Sequence, residues 1–232
     1  MANFKEVFTN RHAVLPVIHV ETPLQTLKNA EIAFGAGADG AFLISMQGMQ
    51  HEELSEMHKL VRSEFSTWWL GVNYLDLPAI KIFDSLNSNI PGVWTDDARI
   101  SEWVLRQIEA EQIQTARERS RWKGLYFGGV AFKYQRPVKN VELVAQLAAQ
   151  FMDVVTTSGS RTGSAPENEK ISKMKAAIGD TPLAIASGIS PDNVRNYLDV
   201  ADCFLVATSL LTPGKEEFDP SRVKDLVQAV RG

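Results

Sequence analysis

Two short apolar runs near the C-terminus stop in small polar turns: Ala186-Ser187-Gly188-Ile189-Ser190-Pro191-Asp192-Asn193, and Leu205-Val206-Ala207-Thr208-Ser209-Leu210. Turns of this composition leave backbone N–H groups unshielded, and two of them at the ends of neighbouring parallel strands make a nest for an anion, phosphate above all. Gly188 lets a backbone approach closely, Ser187, Thr208 and Ser209 add hydroxyls, and Ser190 and Pro191 stand where an N-cap and a first helical residue belong. Plain strand-to-helix turns with good capping chemistry are the competing reading of the same residues.

A third stretch, Ser158-Gly159-Ser160-Arg161-Thr162-Gly163, brackets an arginine with two glycines and small hydroxyls. It suits a loop that closes on an anionic substrate through a bidentate guanidinium, and equally a surface loop with a solvated arginine. For acid–base work the candidates are His19, Glu21, Asp96, Asp97 and Lys133. Side chains alternate along a strand, so only one of the adjacent carboxylates Asp96 and Asp97 can point into a shared site. Lys133 reads as a phosphate or carboxylate partner, as an amine of lowered pKa, or as a salt-bridged surface lysine. His19 reads as a base or as a hydrogen-bonded packing residue. The four histidines lack zinc-site spacing; Asp96, Asp97 and Glu21 could offer oxygens to a hard divalent ion, but the expectation is no metal and no cofactor.

Such residues need elements that bring them to one place. Continuous apolar runs, the pattern of strands buried on both faces, predict strands over 13–20, 41–45, 68–75, 92–95, 125–132, 154–157, 182–186 and 203–207. Between them lie stripes at helical spacing: Leu27, Ala30 and Phe34; Leu54, Met57 and Val61; Ala79, Ile82, Phe83 and Leu86; Val144, Leu147, Ala148 and Phe151; Ile171, Met174 and Ile178. After the fourth strand, Ser101 is expected to cap a helix running through Trp103, Val104 and Ile108 to Arg121. A short helix through Val194 and Leu198 and a last one through Val223, Leu226, Val227 and Val230 complete eight helical segments. Eight alternating pairs in 232 residues fit a single α/β (β/α)8 TIM barrel, spanning 1–232 as one domain, over a doubly wound sheet. In a barrel the C-terminal strand ends share one mouth. That mouth would hold His19, Glu21, Ser45, Gln47, Asn73, Tyr74, Asp96, Asp97, Lys133 and the three anion-binding loops.

The composition is that of an ordinary globular chain, 44% hydrophobic and 22% charged, and its net charge of −4 offers no basic stripe for a nucleic-acid backbone. The single cysteine, Cys203, sits in an apolar run and excludes an internal disulfide. The charged N-terminus is unlike a secretory signal and no apolar run is long enough for a membrane span, so a cytoplasmic location is expected. The expected partner is a phosphorylated small molecule, and a homo-oligomer is compatible with the sequence.

The run from Asp153 through Ser158-Gly159-x-x-Thr162-Gly163, then 186–194, Ala201-Asp202 and Ala207-Thr208-Ser209-Leu210, resembles the BtpA/SgcQ family, with fainter echoes at His19, Pro23-Leu24, Gly71-Val72-Asn73 and Lys133. The resemblance implies a phosphate-binding TIM barrel, and one family member is implicated in photosystem I biogenesis. Its matched phosphate-side positions are Gly159, Thr162, Gly163, Ser187, Gly188, Asn193, Thr208 and Ser209. The chain departs from the family pattern in three places. Its first loop lacks a glycine turn, strand two ends in Ile44-Ser45-Met46 where the family has an acid–Asn pair, and Lys133 is followed by Tyr134 where the family has His. The resulting expectation is an enzyme of phosphosugar metabolism, acting on a phosphosugar or phosphoribosyl-type compound by isomerase, lyase or transferase chemistry. The alternative is a non-catalytic assembly or regulatory factor that keeps the anion site.

Overall fold

The computed structural model describes residues 3–46 and 48–232; Gln47, expected at the mouth, lies outside the described residues. Eight parallel strands close into a barrel in sequence order: β1 (Ala13–Val20), β2 (Gly40–Ser45), β3 (Trp69–Asn73), β4 (Gly92–Thr95), β5 (Leu125–Gly129), β6 (Val154–Thr157), β7 (Leu183–Ile185) and β8 (Cys203–Val206). Closure comes from β1 pairing with β8, Ala13 opposite Cys203 through Pro16 opposite Val206.

A four-residue helix, α1 (Phe4–Val7), precedes the barrel, and the shell consists of α2 (Pro23–Gly35), α3 (His51–Glu64), α4 (Ala79–Ser85), α5 (Ile108–Ser120), α6 (Val141–Ala148), α7 (Asn168–Ile178) and α8 (Pro220–Arg231). Thr22 caps α2, its hydroxyl accepting from Gln25 N at 3.2 Å with Pro23 in the first turn, as the sequence suggests. The crossover from β7 to β8 holds only one 3₁₀ turn, η1 (Val194–Tyr197), and a second, η2 (Thr208–Leu210), follows β8.

Two expectations fail locally. The helix expected from Ser101 begins only at Ile108, because the Gln107 side chain ties 101–107 into a loop. Its Oε1 accepts from Ser101 N at 2.9 Å, and its Nε2 donates to the carbonyls of Ser101 and Val104 at 2.9 and 3.1 Å. Trp103, Val104 and Leu105 are left exposed, so that segment has no apolar face to bury as a helix. After β7, Asn193 organises the turn in place of Ser190: its Oδ1 accepts from Ser190 N at 2.9 Å and its Nδ2 donates to Gly188 O at 2.8 Å.

Alternation along the strands sorts side chains into two cores. Ala13, Leu15 and Val17, then Phe42 and Ile44, Trp94, Leu125 and Phe127, Val154, Ala184, Cys203 and Leu205 fill the barrel, while their neighbours pack outward under the helices. Phe42 lies edge-on to Trp69 and Phe127, each at 5.1 Å, and Phe8 stands against Trp69 at 5.1 Å, so α1 plugs the bottom. At that end the acids preceding β2, β6 and β8 repeat one device. Asp39, Asp153 and Asp202 accept from the N–H of Val14, Tyr126 and Leu183 at 2.7, 2.7 and 2.8 Å, and each pairs with a cation, Arg231, Arg117 and Lys175 respectively.

Candidate functional site

The same two-residue period that fills the barrel decides which strand-end residues reach the mouth. Leu15 and Val17 point inward, so His19 does; Trp94 points inward, so Asp96 does and Asp97 turns away. Asp97 instead holds Arg99 Nη1 at 3.0 Å near the surface. The central cavity, about 370 Å³, has a floor of Val17, Ile44, Trp94, Ala186 and Leu205. Its rim carries Asp96 and Lys133 from beyond the ends of β4 and β5, His19 from the end of β1 beside β8, and Thr162, Gly163, Ser187, Gly188, Thr208 and Ser209 from the loops after β6, β7 and β8.

Asp96 is the most perturbed carboxyl at this mouth. Burial against the apolar floor pushes its pKa up; Asn73 Nδ2, donating to Asp96 Oδ1 at 3.0 Å, and the charge of Lys133 oppose the shift, while Asp97 adds to it. A carboxyl so held can carry a proton into the pH range where an exposed one has lost it. Lys133 lies over the Phe132 ring at 5.7 Å, and its backbone N–H donates to Ser158 Oγ at 2.6 Å, which ties the β5 and β6 loops together.

On the anion side, Gly188 has φ of +67°. A Cβ there would come within 2.5 Å of Ala165 Cα and closer still to Ala165 N and the Ser164 carbonyl carbon. The close approach expected of a ligand is thus made on that face by the chain's own 164–165 backbone. The Ser187 hydroxyl faces the carbonyls of Arg161 and Ser164 at 3.0 and 3.1 Å, and that of Ser209 donates to Ile189 O at 2.6 Å. These two hydroxyls therefore brace the loops, leaving backbone N–H groups and Thr208 as the donors for an anion.

Gly159 and Arg161 fall elsewhere. Gly159 is buried against the Ser164 carbonyl and lines a neighbouring cavity of about 430 Å³. Arg161 is exposed, and its guanidinium makes no hydrogen bond or ion pair among the described residues. Thr162 Oγ1 stands 3.2 Å from the Tyr134 hydroxyl, bridging the loops after β5 and β6. No group of three or more His, Cys, Asp or Glu among the described residues could hold a metal ion, and no described helix is long and apolar enough to cross a membrane.

Two further groups were hidden in the sequence. Lys170, on α7, reaches between strands to donate to Ala131 O at 2.6 Å and Ser158 O at 2.7 Å, and burial pulls its pKa down to about 8 against the pull of Glu167. Glu216, in the loop after β8, meets His19 Nδ1 at 2.7 Å. Nothing in local composition marks either one, because both acquire their partners through tertiary contacts.

Comparison with known proteins gives the same architecture. The chain superposes on Mycobacterium tuberculosis tryptophan synthase with a TM-score of 0.71 at 16% identity, covering 100% of this chain and 99% of that one. It also superposes on Thermoplasma acidophilum (S)-3-O-geranylgeranylglyceryl phosphate synthase in complex with its substrate sn-glycerol-1-phosphate, with a TM-score of 0.68 at 15% identity, covering 100% and 99%. Likeness at this identity establishes the fold alone. In sequence, the photosystem I biogenesis protein BtpA of Synechocystis is 31% identical over 107 residues, 44% of this chain and 37% of that protein. An uncharacterized protein of Pyrococcus abyssi is 33% identical over 85 residues, 34% of this chain and 32% of its own length. These alignments span about a third of the relatives. The BtpA family profile matches residues 107–232, which runs from the start of α5 through the four mouth loops after β5, β6, β7 and β8, and on that match the chain belongs to the BtpA family.

Proposed function

We propose that the protein is an enzyme that binds a phosphorylated small metabolite, a phosphosugar or phosphoribosyl-type compound, in the barrel mouth. The carrying observation is the central cavity, lined by the turns of Ser187-Gly188 and Thr208-Ser209, by Asp96 and Lys133 beyond the ends of β4 and β5, and by His19 at the end of β1 next to β8. An anion at the backbone N–H groups of those turns leaves the rest of the ligand facing Asp96 and Lys133 across the mouth. There Asp96 is the general acid and Lys133 the cation that stabilises developing negative charge, a pairing that serves isomerase, lyase or transferase chemistry. Thr162 and Gly163 close the phosphate side, with Arg161 free to swing over it. The phosphate-bearing ligand of the Thermoplasma barrel supports the ligand class. The reading places the enzyme in the cytoplasm and needs no cofactor.

A second reading is favoured by one surface. Trp103, Val104, Leu105 and Ile108 are exposed together in and after the loop that follows β4, as an assembly or regulatory factor would present them to a partner. The photosystem I biogenesis role named for the Synechocystis relative fits that surface.

Thermal unfolding across a panel of phosphorylated metabolites tests the proposal. A ligand present at about 100 times its Kd stabilises by roughly 2.7 kcal/mol, a shift of about 5–10 °C for a chain of this size. Stabilisation by phosphorylated compounds, with turnover lost in Asp96→Asn, supports the enzyme. Stabilisation without turnover of any of them, with partner capture abolished by Leu105→Glu, supports the factor.

A further inference from the structure

His19 and Glu216 form a pair that the anion site does not require. His19 projects into the central cavity from the end of β1, and its Nδ1 lies 2.7 Å from Glu216 Oε2. A carboxylate only accepts, so Nδ1 carries the proton of the neutral ring and the lone pair resides on Nε2. Nε2 makes no hydrogen bond among the described residues, and the ring is mostly shielded, with 17% of the side chain exposed.

Glu216 belongs to a loop, yet its place is fixed from below by two buried amides of α2. Gln25 Nε2 donates to His19 O at 2.9 Å and to Glu216 O at 2.6 Å, joining the two residues through one group. Asn29, fully buried, donates to Glu216 O at 2.8 Å and accepts from Phe218 N at 2.9 Å. The loop is further closed on itself by Thr212 N donating to Glu217 O at 2.8 Å. Two buried side-chain amides spent on one loop residue make a costly arrangement if that residue only faces solvent. What they hold in place is the backbone of the residue whose carboxylate meets His19.

We infer that Glu216 is a positioning residue that fixes the tautomer and orientation of His19, making Nε2 the general base of the mouth toward an O–H or C–H of a phosphorylated ligand. In that step the N–H bond forms at Nε2, the substrate bond to hydrogen breaks, and its electron pair stays on the substrate. The resulting imidazolium is balanced by the half-buried Glu216 carboxylate, as an acid bonded to Nδ1 supports a catalytic histidine. The inference rests on the proposed acid–base role of the mouth.

The test reads the ring directly. In the uniformly ¹⁵N-labelled protein, long-range ¹H–¹⁵N correlation spectra at alkaline pH report which nitrogen of His19 carries the proton, with His19→Gln identifying the signal. The expected result is the Nδ1–H tautomer in the wild type and in Glu216→Asp, and conversion to the Nε2–H form in Glu216→Ala. A wild-type ring protonated at Nε2, or a Glu216→Ala ring unchanged in tautomer, overturns the inference; the wild-type spectrum decides even if a variant fails to fold. Calorimetric titration of inorganic phosphate into the same samples separates the two claims. Loss of phosphate binding in the wild type removes the anion site and leaves the His19–Glu216 assignment to stand or fall on the spectra.

Discussion

Substituting Gly188 with alanine attacks the point where the β7 turn and the 159–166 loop touch. At φ of +67° an alanine carries about 1–2 kcal/mol of backbone strain. Its Cβ would also overlap the backbone of Ser164 and Ala165, which has no flexible end to move aside. Displacing that backbone costs the hydrogen bonds from the Ser187 hydroxyl and from Ser164 N to Arg161 O, about 1 kcal/mol each. Tyr197 Oη on Pro166 O at 2.7 Å resists a rigid shift of the whole loop. The sum is about 3–4 kcal/mol, roughly 10 °C in Tm for a chain of this length. Gly163→Ala supplies the comparison: its φ of +76° brings the same strain, but open space surrounds the position, so only about 1–2 kcal/mol is lost. Urea unfolding of both variants measures the difference as a shift in midpoint at constant slope. Equal losses in Gly188→Ala and Gly163→Ala would refute the claim that the chain's own loop occupies the space beside Gly188.

Three titrations follow from buried groups. His58, whose Nε2 bonds Leu70 O at 2.9 Å, is held by burial at a pKa of about 4 against an ordinary 6.5. The unfolded chain therefore binds the extra proton between those values, and stability falls by on the order of 3 kcal/mol as pH drops from 6.5 to 4. His58→Gln should flatten that acid limb in pH-dependent urea unfolding, and an unchanged slope would contradict it. Lys170, drawn down to about 8 from 10.5, acts at the other end: the unfolded chain holds its proton longer, so stability rises by on the order of 3 kcal/mol between pH 8 and 10.5. Lys170→Met should remove that rise, and its persistence would show that the ammonium is not desolvated. Asp96 has a raised pKa, so its ionisation weakens the fold as pH climbs out of the ordinary carboxylate range. Asp96→Asn should be more stable than the wild type at pH 7 by calorimetric Tm, with the gap closing toward pH 4; a gap independent of pH would locate its cause elsewhere.

Much of the architecture is legible because a parallel barrel buries both faces of each strand, and such strands read as unbroken apolar runs like Ala13–Val20 and Cys203–Val206. Helices with strong apolar stripes are legible for a similar reason. The 101–107 segment misleads because a serine beside Trp103 and Val104 imitates a capped amphipathic start, while the decisive contacts come from Gln107 folding back over it. The phase of β4 is the limit of local reasoning: alternation says that only one of Asp96 and Asp97 faces the mouth, and the inward packing of Trp94 among Phe42 and Phe132 selects Asp96. Lys170 and Glu216 were beyond reach, since Lys170 is buried by carbonyls 39 and 12 positions away and Glu216 meets a histidine 197 positions away. The sequence marks Gly188 as a place where a ligand comes close; on its Cβ side the neighbour in the structure is the chain's own Ala165.

The central claim is that the turns after β7 and β8 hold a phosphate group, and a crystal grown or soaked with inorganic phosphate tests it most directly. The account predicts an anion between Gly188 and Ser209, bonded to backbone N–H groups and in reach of Thr208, across the cavity from Asp96 and Lys133. A mouth that holds no anion there at high phosphate concentration, with the loops ordered, would contradict it.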